Sequence, residues 1–342
     1  MDTTTAISLR TPYLLFMGDE SRETYAKTAK GIADWRPELC AGQLRLTPAA
    51  LDLGLSDMTL KQAAEQGVGS LVIGTALIGG SIPDDWLETL CEGARAGLDI
   101  VGGLHTRLAS IPALVEAAAE GKGRLVDVRV PPDDLPVASG EKRSGKRLLT
   151  VGTDCALGKK YTALQLTRDL EEAGVKADFR ASGQTGIMIV GRGIPIDCVV
   201  SDFVSGAAEV LSPANDDDHW DVVEGQGGIF HPGYAAVSHG LLIGSQPDAF
   251  VVCHAAGREY VEGWEDFPLP TIGEVIDRTI AIGKLTNPAI RCVGISVNSS
   301  SLPDIERLDY LAALSTRYGL PCVDPLRDGT APIIARLQQE FA

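Results

Sequence analysis

A short segment bounded by two glycines, residues 152–162, carries the residue types of a phosphate-binding loop. Its sequence is Gly-Thr-Asp-Cys-Ala-Leu-Gly-Lys-Lys-Tyr-Thr, and it lies between an apolar segment at 148–151 and a helical pattern at 161–173. In such a loop the backbone N–H groups point at a bound anion, the helix N-terminus favours negative charge, and lysines add positive charge. The segment therefore predicts a site for phosphate groups.

The loop differs in two ways from the common nucleotide-binding pattern G-x-x-x-x-G-K-[ST]. Five residues rather than four separate Gly152 from Gly158, and Lys160 stands where a Ser or Thr would ligate magnesium. A protonated lysine cannot ligate a metal ion, but it can neutralise a phosphate directly. The adjacent Lys159 and Lys160 therefore favour a pyrophosphate or 3′-phosphate that is held and not cleaved, and coenzyme A carries both. The alternative is that Thr162 ligates magnesium in a shifted register.

Two further titratable side chains flank a second glycine cluster. Glu224 begins the segment Glu-Gly-Gln-Gly-Gly, and His231 follows in Gly-Gly-Ile-Phe-His. Either could accept a proton from an amine that attacks a thioester, so Glu224, His231 and Lys159 are the candidate catalytic residues. The backbone of Gly227 and Gly228 is a candidate for stabilising an oxyanion. The alternatives are structural: a carboxylate that accepts hydrogen bonds from these glycines, and a histidine satisfied within the fold.

Other polar residues lie at or beside predicted strand ends. Arg180, Arg192 and Arg258 are next to glycine-rich loops, and arginine binds carboxylates through two parallel hydrogen bonds. We therefore predict that at least one of them binds an acidic substrate, although each is equally suited to the protein surface. His254 ends another predicted strand, where active sites of α/β proteins usually lie, and is a further candidate base.

The first part of the chain alternates between apolar segments and helical patterns. Strands are predicted at 13–17, 70–73, 98–101 and 125–130, and helices at 21–30, 84–96 and 111–120. This alternation predicts a parallel sheet covered by helices, a Rossmann-like domain over residues 1–135. Glycine-rich loops at 74–80 and 102–103 follow strands, but no G-x-G-x-x-G motif opens a helix, so a dinucleotide site is weakly supported.

A polar segment rich in Pro, Gly and Lys, 136–147, predicts a linker. After it, residues 148–342 predict a second α/β domain built on the phosphate loop. Strands are expected at 148–151, 175–179, 221–223, 249–253, 292–297 and 321–323, and helices include 161–173, 271–285 and 302–319. The predicted fold class is therefore α/β, with a Rossmann-like domain followed by a P-loop domain.

Composition excludes several classes of function. The 342-residue chain is 44% hydrophobic and 22% charged, as globular proteins are, and its net charge of −16 disfavours binding to nucleic acid or an anionic membrane. Its seven cysteines, an odd number without a C-x-x-C pair, predict reduced thiols and a cytoplasmic location. No apolar segment approaches the length of a membrane span, and no signal peptide is predicted.

Three segments of the second half occur in a characteristic order. The loop, the segment Asp-Val-Val-Glu224-Gly-Gln-Gly-Gly and the segment Val-Gly-Ile-Ser-Val-Asn298 resemble the dethiobiotin synthetase branch of P-loop proteins, whose loop is G-T-D-x-x-x-G-K. This resemblance implies that Glu224 serves at a magnesium site and that Asn298 meets a nucleobase. It supports an alternative function, an ATP-dependent ligase or kinase using ATP and Mg²⁺. A non-catalytic nucleotide-binding module is the third alternative.

A second resemblance covers nearly all of the chain. The Rossmann-like first domain, the loop G-T-D-C-x-x-G-K-K-x-T, the segment Ser182-Gly-Gln-Thr-Gly186 and the Glu-Gly-Gln-Gly-Gly block resemble the bacterial family of D-glutamate N-acetyltransferases. This implies transfer of an acetyl group from acetyl-CoA to the amino group of D-glutamate, in D-amino-acid catabolism. We expect no metal, a small acidic amino acid as partner and a homo-oligomer. The expected coenzyme-binding residues are Gly152, Thr153, Asp154, Gly158, Lys159, Lys160, Tyr161, Thr162 and Asn298.

Overall fold

The computed structural model describes residue 7 and residues 9–75 and 82–341. Its contacts divide the chain into two compact units, one formed by residues 1–131 and 183–198, the other by residues 132–182 and 199–342. Most of the predicted glycine-rich loop at 74–80 lies outside the described residues. No helix within the described ranges has both the length and the apolar composition needed to cross a membrane.

The first unit is built on a five-stranded parallel sheet with the strand order β2-β1-β3-β4-β5. The strands are β1 Tyr13–Gly18, β2 Cys40–Arg45, β3 Ser70–Ile73, β4 Asp99–Gly102 and β5 Leu125–Asp127. The first four helices are α1 Lys27–Trp35, α2 Leu60–Glu65, α3 Asp84–Arg95 and α4 Pro112–Gly121. The predicted Rossmann-like fold is therefore confirmed, and its core consists of the apolar faces of the strands and of α3 and α4.

Two elements of this unit depart from the sequence prediction. Strand β2 was not expected, because its Gln43 is polar and yet buried; its amide donates to Asp52 and its carbonyl accepts from the Leu53 N–H, both at 2.8 Å. The predicted helix at 21–30 begins only at Lys27, after a 3₁₀ turn at Glu23–Tyr25. Local sequence patterns do not reveal a polar side chain whose partners lie ten residues away.

The second unit contains a six-stranded parallel sheet with the order β13-β12-β9-β6-β8-β7. The strands are β6 Lys146–Gly152, β7 Ala177–Arg180, β8 Trp220–Val223, β9 Ala249–Ala255, the hairpin β10 Tyr260–Val261 and β11 Trp264–Pro268, β12 Arg291–Asn298 and β13 Cys322–Val323. The helices of this unit are α5 Lys159–Glu172, α7 Val204–Leu211, α8 Ala235–Ser245, α9 Ile272–Gly283, α10 Asp304–Tyr318 and α11 Ala331–Glu340, whereas α6 Gln184–Val190 belongs to the first unit.

Strand β6 lies inside this second sheet, between β8 and β9. Because all strands are parallel, the segments that follow β6, β8 and β9 emerge at the same edge. The phosphate loop, the turn that begins at Glu224 and the residues after β9 are therefore neighbours, as expected for a ligand site at the carboxyl ends of parallel strands. The P-loop fold of the second unit is confirmed.

The chain divides differently from the prediction of a domain at 1–135, a linker at 136–147 and a domain at 148–342. Residues 132–147 are packed within the second unit rather than acting as a linker. The Arg143 guanidinium donates to the carbonyl oxygens of Ser212 at 2.8 Å and Gly244 at 2.9 Å, and Lys142 pairs with Asp248 at 3.0 Å. The basic residues that suggest a solvated linker thus satisfy carbonyl groups at the ends of α7 and α8.

Residues 183–198, expected in the second domain, belong to the first unit. The Thr185 hydroxyl lies 3.0 Å from the Thr28 hydroxyl of α1, the Arg36 guanidinium donates to the carbonyl of Ile189 at 3.2 Å, and Arg129 pairs with Asp197 at 2.9 Å. These contacts join residues more than 60 positions apart, which no local sequence pattern shows.

The packing of residues 132–147 on α7 can be tested at Gly206. A methyl group at this position would lie 1.8 Å from the carbonyl oxygen of Pro136. Although alanine favours a helix by up to about 1 kcal/mol over glycine, overpacking against rigid backbone costs about 1–3 kcal/mol, so we expect Gly206→Ala to lower the melting temperature. The control is Gly273→Ala in α9, where the nearest atom lies at 3.5 Å, and which should unfold at the wild-type temperature or above. Equal stability of Gly206→Ala and wild type would contradict this packing.

Candidate functional site

The phosphate loop connects β6 to α5 and has the backbone of an anion-binding turn. Gly152 pairs with Cys253 of β9, and the Thr153 N–H donates to the Cys253 carbonyl at 3.1 Å. Gly158 has φ of +101°, a left-handed conformation that glycine adopts without strain, and α5 begins immediately after it. Because glycine has no side chain that could cap the helix, the first N–H groups of α5 are suited to bind an anion.

The carboxylate of Asp154 is the main organising group of the loop. It is completely buried and accepts hydrogen bonds from three donors: the Cys155 N–H at 2.6 Å, the Arg258 guanidinium at 3.0 Å and the Glu262 N–H at 2.9 Å. Arg258 also donates to the carbonyl of Cys155 at 2.9 Å. The segment after β9 is thereby fastened to the phosphate loop through one charged side chain.

The two adjacent lysines of the loop differ in their surroundings. Lys159 is buried beneath the loop, where its ammonium donates to the carbonyl of Asp154 at 2.7 Å, and burial lowers its pKa. Lys160 is half-buried, and its ammonium lies 4.4 Å from the centre of the Tyr161 ring. The Lys159 ammonium can reach a phosphate in the loop only by releasing the carbonyl of Asp154. Lys160, in the first turn of α5, is partly open to solvent.

Thr162 does not face the loop. Its hydroxyl is buried 2.7 Å from the Ser296 hydroxyl of β12 and accepts a long hydrogen bond from the Cys253 thiol of β9 at 3.5 Å. These partners belong to the strands beneath α5. The placement disfavours the alternative in which Thr162 ligates magnesium at the loop, because the hydroxyl would have to leave both partners.

The turn that begins at Glu224 is fixed by two serines. The Glu224 carboxylate accepts the Ser182 N–H at 3.0 Å, the Ser182 hydroxyl donates to the Glu224 carbonyl at 2.6 Å, and Ser238 donates to the carbonyl of Gln226 at 2.8 Å. Gly225 lies so close to the backbone of Thr150 that an added methyl group would approach its carbonyl oxygen to 1.7 Å. Glu224 is only 5% exposed, so little of this residue is open to solvent.

His231 is held as a neutral hydrogen-bond donor. Its Nδ1 accepts the Gly233 N–H at 3.1 Å, which places the proton of the neutral ring on Nε2. Nε2 is buried, lies 3.7 Å from the Asp154 carboxylate and has no hydrogen-bond partner among the described residues. Because burial lowers the pKa of this imidazole, it is uncharged at neutral pH. Neither nitrogen offers a free lone pair, so this tautomer does not suit a general base.

Among the residues that the structure describes, two groups of side chains have the composition of metal ligands. In the first, Asp154, Cys155 and His231 place ligand atoms within 4.8 Å of one another. The proton on His231 Nε2 and the guanidinium of Arg258 on Asp154 both oppose a cation there. This arrangement therefore favours an anion nearby rather than a metal within it.

The second group consists of Asp178, His219 and Asp221. The guanidinium of Arg180 lies 2.8 Å from Asp221 and 3.5 Å from Asp178, so an arginine already supplies the positive charge. Asp178 and Asp221 face each other on β7 and β8. The group therefore stabilises the pairing of these two strands.

His254 connects the phosphate loop to α10. Its Nδ1 lies 3.1 Å from the Thr153 hydroxyl, and its Nε2 lies 3.1 Å from the hydroxyl of Tyr310. Burial, followed by the positive charge of Arg258, lowers the pKa of its imidazole. His254 is therefore a neutral link between two hydroxyl groups.

The structure separates the three arginines predicted to bind substrate. Arg258 lies at the loop and forms a second ion pair with Glu262 at 3.1 Å. Arg180 is engaged by Asp221, and Arg192 belongs to the segment grouped with the first unit. Asn298 ends β12 with an exposed side chain whose carbonyl accepts the Ser300 N–H at 3.1 Å.

An aromatic cluster beside the loop was not predicted from the sequence. The His231 ring lies 4.5 Å from that of Tyr234 and 4.7 Å from that of Trp264, and the latter two are 6.0 Å apart. Trp264 belongs to the hairpin β10–β11, whose short strands carry no clear alternation. In the sequence, the sign of this cluster is Tyr234, an aromatic residue three positions after His231.

A small cavity opens between the turn and α8. Its volume is about 20 Å³, and its walls are mostly apolar. The lining includes Val151, Gly152, Gln226, Ile229, Leu241 and Leu242. This space is about large enough for one water molecule, so it offers no room for a larger ligand group beside the phosphate loop.

Comparison with known proteins gives consistent matches over nearly the whole chain. Residues 45–131 match a family model described as a Rossmann-like domain (DUF1611_N), and residues 136–334 match one described as a P-loop domain (DUF1611_C), each a domain of unknown function. A crystal structure of a DUF1611 family protein from Anabaena variabilis is 32% identical and covers 96% of this chain and 100% of its own, with a TM-score of 0.86.

Two curated relatives carry a functional name. Proteins from Pseudoalteromonas and from Tritonibacter scottomollicae are each named D-glutamate N-acetyltransferase, and each is 45% identical to this chain. The first match covers 97% of this chain and 100% of the relative, the second 96% and 99%. Both names describe an acyltransferase.

Proposed function

The chain belongs to the DUF1611 family, and on this premise we propose that it transfers the acetyl group of acetyl-CoA to the amino group of D-glutamate. The observation that carries the proposal is the 45% identity, over 97% of the chain, to a protein named for that transfer. Identity at this level over both units supports the proposal of the same activity.

The phosphate loop supports coenzyme A as the donor. The N-terminus of α5 and the cations of Lys159 and Lys160 belong to one short segment, within a protein whose net charge is −16. A phosphate there would replace the Asp154 carbonyl as the partner of Lys159, and its charge would favour the protonated lysine. Lys160 in place of a hydroxyl suits a phosphate that is bound and not transferred.

Arg258 is the proposed partner of a substrate carboxylate. One side of its guanidinium is fixed by buried Asp154, and the other pairs with Glu262, a side chain that is more than half exposed. A carboxylate of D-glutamate could displace Glu262 without disturbing the buried pair. The guanidinium is thereby preoriented for bidentate binding.

In the proposed reaction the free amine attacks the thioester carbonyl. A C–N bond forms, the C–S bond breaks, and coenzyme A leaves as a thiolate that takes up the proton released by the amine. The incoming ammonium must first lose a proton, and Glu224 suits this step better than His231, whose Nδ1 accepts the Gly233 N–H and whose Nε2 carries the ring proton. The N–H groups of Gly227 and Gly228 are the proposed oxyanion donors. The pantetheine arm must fold back over the loop for the thioester to approach Glu224.

The proposed activity is tested by measuring acetylation of D-glutamate by acetyl-CoA in excess EDTA. We expect transfer without added metal, because Lys160 replaces the magnesium-ligating hydroxyl and Thr162 faces the sheet. L-glutamate and D-alanine are the comparison acceptors. Loss of activity that magnesium restores, or turnover of ATP in place of acetyl-CoA, would instead support the ligase or kinase function.

Binding of coenzyme A should depend on both loop lysines. Lys159→Ala and Lys160→Ala each remove a charge-assisted contact of about 1.5–3 kcal/mol, which corresponds to a roughly ten- to hundredfold weaker affinity in calorimetry. Lys176→Ala is the matched control, because this exposed lysine pairs with Asp216 and Asp218 at the start of strand β8. Unchanged affinity in the Lys159/Lys160 double variant would rule out the loop as the phosphate site.

Glu224→Gln should lower kcat at pH 7 by about 10²–10⁴-fold and leave binding of acetyl-CoA intact, because it removes the proposed base. Activity should partly recover as the pH rises, since more of the acceptor amine is then unprotonated. His231→Ala tests the other candidate in the same assay. Near-full kcat for Glu224→Gln with a pH-dependent loss for His231→Ala would make His231 the base, and near-full kcat for both would direct attention to His254.

A further inference from the structure

The aromatic cluster of His231, Tyr234 and Trp264 combines a buried imidazole with an exposed tyrosine. His231 is 2% exposed, whereas Tyr234 is 50% exposed. The tilted His231–Tyr234 contact and the edge-on contacts of Trp264 with both rings fix the position of Tyr234. About half of Tyr234 is thus exposed to solvent, although its neighbours fix its position.

Both supports of this ring are attached to the phosphate loop. His231 Nε2 points at the Asp154 carboxylate from 3.7 Å, and the Glu262 N–H, two residues before Trp264, donates to the same carboxylate at 2.9 Å. Tyr234 itself borders the glycine turn, since a methyl group on Gly227 would lie 2.7 Å from its carbonyl oxygen. The exposed ring is therefore held at a fixed place beside the phosphate loop.

A fixed aromatic face next to a phosphate site suits a ligand that joins a planar base to phosphate groups. Every nucleobase has a π face that stacks on tyrosine without needing a matched hydrogen-bond pattern. A ring that is already immobile loses little conformational entropy when the base stacks on it. The apolar face and the cations beside it match the two parts of such a ligand.

We propose that Tyr234, supported by His231 and Trp264, stacks on the adenine ring of coenzyme A. This rests on the proposed function for the identity of the ligand. It also gives His231 a role that its tautomer allows, as a neutral positioning residue under the tyrosine. The adenine then lies on the β8 side of the loop, because Tyr234 follows β8, which borders β6 directly.

The resemblance to dethiobiotin synthetase implies a different binding place for the nucleobase, beside Asn298. Asn298 ends β12, which is separated from β6 by β9 on the opposite side of the loop. One adenine cannot occupy both places, so variants of the two residues discriminate directly between them.

The test compares ligands with and without adenine by calorimetry on the full chain. Tyr234→Ala should bind coenzyme A roughly tenfold more weakly, about 1.4 kcal/mol, and should bind inorganic pyrophosphate as the wild type does. Tyr234→Phe should restore the affinity for coenzyme A, because it keeps the ring. Adenine stacked on Tyr234 should also change the fluorescence of Trp264, and pyrophosphate should not.

Tyr260→Ala is the matched control, since Tyr260 is 51% exposed on the neighbouring hairpin but is not part of the cluster. An equal loss in Tyr260→Ala, or an equal loss for pyrophosphate, would show a general disturbance of the site and overturn the proposal. So would an adenine-dependent loss in Asn298→Ala with none in Tyr234→Ala. If the wild type transfers acetyl groups while Tyr234→Ala binds coenzyme A normally, the proposed function stands and the stacking proposal fails.

Discussion

One buried carboxylate holds the candidate site together. Asp154 is removed from water, which is unfavourable for a charge unless it is paired and hydrogen-bonded, and it meets that requirement with donors from its own loop and from the segment after β9. Arg258 is thereby oriented, the hairpin that carries Trp264 is fastened to the loop, and His231 is placed against the same group. A change at Asp154 would remove one acceptor shared by the loop, Arg258 and the Glu262 N–H, so these parts are expected to fail together.

The second constraint is the close approach of backbone segments at the carboxyl edge of the sheet. The loop after β6 and the turn after β8 emerge side by side, and the turn lies against Thr150 with no room for a side chain at position 225. Packing therefore requires glycine at position 225, independently of any ligand that the turn binds. Since Glu224 and Gln226 are fixed through serines on either side, the carboxylate has a defined position before any substrate binds.

Charge is distributed so that an acidic protein keeps a cationic site. The net charge of −16 belongs to the surface as a whole, whereas Lys159 and Arg258 lie at the loop and share Asp154 as an internal partner. An anion that enters the loop competes with that internal carboxyl group and its carbonyl. The affinity for an anion there therefore depends on the exchange of these internal partners for the groups of the ligand.

The fold class of both units and the position of the phosphate loop follow from local sequence patterns, because hydrophobic periodicity and glycine–lysine spacing act over a few residues. Which residues share that site depends instead on the packing of the folded chain. Arg180 and Arg258 both follow or lie near strand ends, yet one pairs with Asp221 within the sheet and the other with Asp154 at the loop. The inward orientation of Thr162, the tautomer of His231 and the grouping of 183–198 with the first unit depend on partners far away in the chain. Such partners meet only when the strands take their order in the sheet, and strand order is not written in any local pattern.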